Sequence, residues 1–108
     1  MTEAQREIIE DQGWSIHECT FVGDKKSYEF EQYSPAGEDF IFAVEAETPE
    51  ELVESIQEYY DSFDPDEHAA MWIEHRGERG CPSSIRALID DAEAIDGMLR
   101  DLATALSQ

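Results

Sequence analysis

Apolar positions along this chain recur with two different periods, and the switches between them mark the elements. Residues 3–12 (EAQREIIEDQ) have a helical pattern, and Gly13 follows where a left-handed residue closes a helix. Trp14 to Val22 reads as a strand whose alternation slips near His17–Glu18, which predicts a bulge there. Gly23-Asp24-Lys25-Lys26 makes a turn. Tyr28-Glu29-Phe30-Glu31-Gln32-Tyr33 then alternates cleanly, with Tyr28 and Phe30 on one face and Glu29 and Glu31 on the other. Ser34-Pro35-Ala36-Gly37 is a turn, and Phe40 to Val44 is a third strand, apolar on both faces. Three strands joined by short turns predict an antiparallel meander with one face under helices and one face in water.

The period changes at Thr48-Pro49-Glu50-Glu51. This is a helix start with Thr48 as N-cap, proline in the first position and acids in the first turn. The helix runs to about Ser62, with Leu52, Val53, Ile56, Tyr59 and Phe63 on its buried stripe. Asp64-Pro65-Asp66-Glu67 repeats the signal for a helix to about Arg76, and Ala69-Ala70-Met71-Trp72-Ile73 within it predicts burial on more than one side. Gly77 to Gly80 is a loop, and Pro82-Ser83-Ser84 opens the longest helix, to about Leu106. There Ile85, Leu88, Ala92, Ile95, Leu99, Leu102 and Leu106 form a heptad seam. The seam reads first as the core face of that helix, and second as the contact of a homodimer through 85–106. The order αβββααα predicts a single α+β domain over residues 1–108, with helices packed on one face of a three-stranded antiparallel meander.

Composition changes this picture through charge. The chain has 27 acids against 7 Lys and Arg, a formal charge of −20 in 108 residues. From Ser27 to His75 there is no Lys or Arg, while 15 of those 49 residues are Asp or Glu. Such an excess destabilises a compact state through self-repulsion. Disorder is the first alternative, but 41% hydrophobic residues and eleven aromatics supply a core. The sign of the charge argues against direct binding of nucleic acid or of anionic lipid, since both are themselves negative. No apolar run approaches a membrane span and no leader pattern is visible, so a cytoplasmic protein with Cys19 and Cys81 as reduced thiols is expected.

Candidate chemistry is thin. Asp61 to Glu67 concentrates oxygen ligands but lacks the order, glycine and terminal glutamate of a calcium loop. His68 and His75 share a helix face about 10 Å apart, too far for one zinc to bridge easily. Cys19 and Cys81 have no zinc-ligand spacing. No nucleophile elbow, phosphate-cradling loop or dinucleotide fingerprint occurs. The expectation is no enzyme, no metal and no cofactor.

Two surfaces remain as binding candidates. Glu50, Glu54 and Glu58 repeat at i, i+4 and i+8 with no base between them, and Glu51 and Asp61 lie beside them. Glu45 and Glu47 are nearby, while Glu29, Glu31, Glu38 and Asp39 form a second acidic group on the sheet and its turn. Like charges at helical spacing cost a few tenths of a kcal/mol per pair, an expense that an ordinary solvated helix avoids by mixing signs. Spread evenly over roughly 6,000 Å², the charge would be on the order of threefold less dense than that of a DNA duplex. Resemblance to DNA therefore needs concentration into two adjacent acidic rows. The other candidate is an aromatic and basic anchor formed by Trp72, His75, Arg76 and Arg79. The plainer reading of Arg76, Arg79 and Arg86 is internal pairing that ties the glycine-rich connection to neighbouring carboxylates.

The strings SPAGEDFIF, YDSFDPDEHAAMWIEHRG and GCPSSIRALIDDAEAI resemble those of small acidic proteins of phages and conjugative elements of gut bacteria, a likeness covering about residues 28–100. Such elements often encode small acidic DNA mimics that inhibit restriction or CRISPR nucleases. By that analogy of context and charge, the expected function is an acidic protein-binding module, a DNA mimic whose partner is a basic nuclease or other DNA-binding protein. The alternative is an accessory protein of structural or regulatory role. It would bind a partner or itself through the C-terminal helix and the Trp72–Arg86 region, with acidity serving solubility.

Overall fold

The computed structural model describes residues 1–20, 25–76, 78 and 84–108. The order is α1 (Glu3–Asp11), β1 (Ser15–Thr20), β2 (Lys26–Tyr33), β3 (Asp39–Ala46), α2 (Pro49–Ser62), α3 (Pro65–Glu74) and α4 (Ile85–Leu106). The strands form one antiparallel sheet in the order β1-β2-β3. This is the α+β meander that the periodicity predicts, with helices on one face.

Local chemistry accounts for the boundaries. Thr2 accepts from the Gln5 backbone N–H at 3.0 Å while the Gln5 side chain accepts from the Thr2 N–H, a capping box that starts α1. At its other end Gly13 has φ +94°, Trp14 N–H reaches Ile9 C=O and Gly13 N–H reaches Glu10 C=O. That is a Schellman motif, and it carries Trp14 into the core beside Ile9. Thr48, Asp64 and Ser84 cap α2, α3 and α4 by accepting from Glu51, Asp66 and Ala87 N–H groups.

Phe40, Phe42 and Val44 of β3 alternate inward and pack with Tyr28, Phe30 and Trp14 under α2 and α4. Each such side chain, fully buried, contributes about 1.5–3 kcal/mol. The outward residues of β3 are exposed, Ile41 among them, so this strand is apolar on both faces but buried on one. In α4, Leu88, Ala92, Ile95, Leu99, Leu102 and Leu106 are all buried. The heptad seam is thus filled by the chain's own core, and only Ile85 at its start stands out, 43% exposed. A homodimer through 85–106 would have to use Ile85 and the neighbouring exposed Ile89, because the rest of the seam already has partners.

Two expectations are corrected. β1 pairs one-to-one with β2 from Ser15↔Glu31 to Thr20↔Lys26, so it has no bulge at His17–Glu18. The apparent slip arises because Glu18 faces the helix side, where Arg6 of α1 donates to it at 2.6 Å. α3 ends at Glu74 and is buried on one side only: Ala69 is covered, Trp72 and Ile73 are half-buried, and Ala70 and Met71 are exposed. The Gly23–Asp24 half of the first turn, Phe21, Val22, most of the Gly77–Gly80 loop, Cys81, Pro82 and Ser83 lie outside the described residues. No described helix is long and apolar enough to cross a membrane.

Candidate functional site: an acidic face around the edge of β3

The register sorts the sheet residues by face. Ser15 and His17 of β1, Ser27, Glu29 and Glu31 of β2, and Asp39, Ile41, Ala43 and Glu45 of β3 all lie on the face away from the helices. Glu29 sits between His17 and Ala43, and Glu31 between Ser15 and Ile41. Four carboxylates therefore share this open face, and among the described residues the one base within ion-pair distance of them is His17, its Nε2 3.9 Å from Glu31.

Glu31 is perturbed. A side-chain hydrogen bond with Asp39 is the main cause, and it raises the Glu31 carboxyl above the usual glutamate range. Slight desolvation and the like charges of Asp39 and Glu29 act in the same direction, while His17 opposes them. Glu31 is thus where crowding of like charges on this face is felt.

α2 runs along β3 in the opposite direction. Ser55 Oγ donates to Glu45 C=O at 3.0 Å, the Tyr59 ring stacks on Phe42 at 4.6 Å, and the Phe63 ring meets Phe40 edge-on at 5.9 Å. The Tyr59 phenol is pushed above its ordinary pKa by burial. Between helix and strand lies a groove of about 480 Å³ whose lining includes Ser27, Ala43, Glu45, Ser55, Glu58 and Tyr59. Glu45 from the sheet and Glu58 from the helix row thus border one surface, and Ala43 beside them is the cross-strand neighbour of Glu29.

The helix row itself is as the spacing predicts. Glu50, Glu54 and Glu58 are exposed, and no ion pair involves them among the described residues. Glu51 departs from the row, half-buried and 3.9 Å from Lys25 Nζ. Asp61 is exposed and accepts from Gln57 Nε2 at 2.9 Å. The described bases that form ion pairs do so elsewhere or at this rim: Arg6 with Glu10 and Glu18, Lys25 with Glu51, Arg86 with Asp90 and Arg100 with Asp101. Arg86 pairs within its own helix, so it does not tie the connection to neighbouring helices. Arg79 lies outside the described residues.

Glu38 does not belong to the acidic face. It is turned in against α3, where both carboxylate oxygens lie 2.9 and 3.2 Å from His68 Nε2 and both side chains are nearly covered. The His68 ring in turn sits among Phe40, Phe63 and Trp72. Sequence reasoning also missed Asp91, a carboxylate only 4% exposed. It accepts from Ser34 Oγ at 2.9 Å and from Ala36 N–H at 3.0 Å, pinning the β2–β3 turn to α4. The signal was there: Asp91 falls three after Leu88 and four before Ile95, on the buried stripe, where a charge needs a partner.

The Trp72 region forms a separate groove of about 330 Å³ lined by Met71, Trp72, His75 and Glu78. His75 Nδ1 lies 3.2 Å from Glu78, and Arg76 is exposed. Among the described residues no three His, Cys, Asp or Glu side chains converge as a metal site would require. Asp64 serves as a helix cap, and Cys19 is an exposed thiol. No protein-family model matches the chain, and no curated protein or solved structure is similar enough to count as a match.

Proposed function

We propose that this protein is an acidic binding module whose α2–β3 face occupies the nucleic-acid site of a basic protein, as a DNA-mimicking inhibitor of a restriction or CRISPR nuclease would. The observation that carries this reading is the groove bordered by both Glu45 and Glu58, which joins the helix row to the carboxylates of the open sheet face. Averaged over the 6579 Å² surface, the charge would be one per about 330 Å², too dilute to resemble a duplex. Concentration is what the reading needs. A single helical row places a carboxylate every ~6 Å along its axis, against ~3.4 Å per phosphate along one strand. Glu29, Glu31, Asp39 and Glu45 would supply a second group on the open sheet face, meeting the helix row where Glu45 and Glu58 line one groove. In this reading the module is not an enzyme, needs no cofactor, binds neither nucleic acid nor membrane, and acts in the cytoplasm with its partner.

The test is displacement of DNA from a candidate nuclease of the same mobile element or its host, at low and at moderate salt. Displacement that weakens as salt rises supports the reading, since steering by such a face is screened. An inability to compete with DNA on any basic partner overturns it. The regulatory alternative is favoured by one observation, the Met71–Trp72–His75 groove with Met71 half exposed. Met71→Glu should abolish partner capture under that alternative and leave DNA displacement intact under the first.

A further inference from the structure

The β2–β3 hairpin determines which backbone groups of β3 face outward. Gly37, with φ +91°, donates to Ser34 C=O at 2.9 Å, and Ser34 N–H donates to Glu38 C=O at 2.7 Å. Ser34 and Glu38 therefore form a hydrogen-bonded pair. Antiparallel alternation then makes Asp39, Ile41, Ala43 and Glu45 the positions that do not bond to β2. Their N–H and C=O groups project off the free edge of the sheet. The Ser55 hydroxyl independently agrees, because it reaches the Glu45 carbonyl from that side. Toward the hairpin the edge is open: Ile41 and Ala43 are exposed, and among the described residues nothing bonds their backbone groups there.

An unpaired edge is a template for another strand. The groove along this one extends further than the acidic site alone. A second hollow of about 420 Å³ shares Tyr59 and Ser62 with the first and continues past Phe40 and Phe63 to His68 and Met71, with Asp64 and Glu67 on its rim. Together they form a trough beside β3, open to the acidic sheet face.

We infer that the free edge of β3 receives an extended segment of the partner by strand addition, with basic side chains alternating toward the open sheet face and small or apolar ones toward the trough. This rests on the proposed acidic binding function and states how that surface engages. The occupant follows from charge. A second copy pairing antiparallel about Ile41 and Ala43 would set Asp39 against Glu45 at both ends, so the edge repels itself. The same positions attract Lys or Arg, reinforced by Glu29 and Glu31 on the same face. The period-2 geometry of a strand places those bases on every other residue.

The experiment uses the full chain and two capped eight-residue peptides. Both alternate Lys and Val, and one is N-methylated on the amides that would face β3. Backbone amide resonances and hydrogen exchange of the protein are followed. The unmodified peptide should shift the Ile41 and Ala43 amides and slow their exchange by about tenfold or more at saturation, while the methylated peptide does neither. Equal effects of both peptides would overturn strand addition and leave the charge-based reading standing. Binding by neither, or protection at the β1 edge instead, also overturns strand addition, and the charge-based reading is then judged by DNA displacement alone. As a second arm, Ala43→Pro removes an N–H that the sheet does not use and should abolish peptide binding while keeping the melting transition. If that variant does not fold, the amide data on the parent chain decide.

Discussion

Asp91→Ala should be among the most damaging single changes in this protein, although nothing it touches belongs to the acidic face. The buried carboxylate accepts two hydrogen bonds, from Ser34 Oγ at 2.9 Å and Ala36 N–H at 3.0 Å. Ser34 Oγ also accepts from Glu38 N–H at 2.9 Å, so one contact chain links α4, the turn and the first residue after it. Hydrogen bonds to a charged group contribute about 1.5–3 kcal/mol, and an orphaned buried donor costs about 1–3 kcal/mol. Truncation relieves the burial of a charge, which offsets part of this, so a net loss of about 2–4 kcal/mol is expected. Against a typical total of about 5–15 kcal/mol that is a large fraction. Urea unfolding measures it, and a cycle with Ser34→Ala isolates the pair. The two changes should be less than additive, with coupling of about 1–2 kcal/mol. Asp91→Asn keeps one acceptor and should lose less than Asp91→Ala. Strict additivity, or a loss below about 0.5 kcal/mol, would refute the claim that this contact holds the hairpin to α4.

His68→Ala removes a ring packed against Phe40, Phe63 and Trp72, leaves the nearly covered Glu38 carboxylate without its partner, and should cost about 2–4 kcal/mol in urea unfolding; a surface-like loss under about 0.5 kcal/mol would contradict the buried pair. Glu31 has a raised pKa in the folded state, so its stabilising contribution is fully present in acid below the usual glutamate value and is lost as pH rises through the raised one. Glu31→Gln should therefore melt increasingly above the parent as pH rises from below the usual glutamate value through the raised one, and a constant difference across that window would count against a raised Glu31. Glu54→Gln relieves the repulsions with Glu50 and Glu58, so thermal melting at low salt should show a gain of about 0.4–1 kcal/mol that shrinks as salt is added. The same variant should weaken displacement of DNA from a basic partner, and an unchanged displacement curve would remove the helix row from the binding face.

Periodicity, caps and turns made most of the fold legible. Thr48-Pro49 and Asp64-Pro65 begin helices because proline tolerates only the first turn and a side-chain oxygen satisfies an exposed N–H. Tyr28 and Phe30 sort from Glu29 and Glu31 because strand side chains alternate. The misreadings arose where tertiary partners override a local pattern. Glu18 looked like a break in register because Arg6, twelve residues away, makes an inward carboxylate tolerable. Ala70 and Met71 looked buried, yet α3 covers only one of its sides.

The candidate site divides the same way. That Glu50, Glu54 and Glu58 form a stripe, and that Glu29 and Glu31 share a face, follows from 3.6- and 2-residue periods alone. Composition could count acids but could not distinguish them, because each one's partners depend on what lies across space. Packing takes Glu38 to His68 and Asp91 to the turn, and turns Glu51 toward Lys25. It leaves Glu45 and Glu58 bordering one groove, so the two stripes meet there. The outward backbone of Ile41 and Ala43 likewise depends on the hairpin register. Local spacing decides which side chains share an element's face, and only the contacts between elements decide which charges remain unpaired on the open surface.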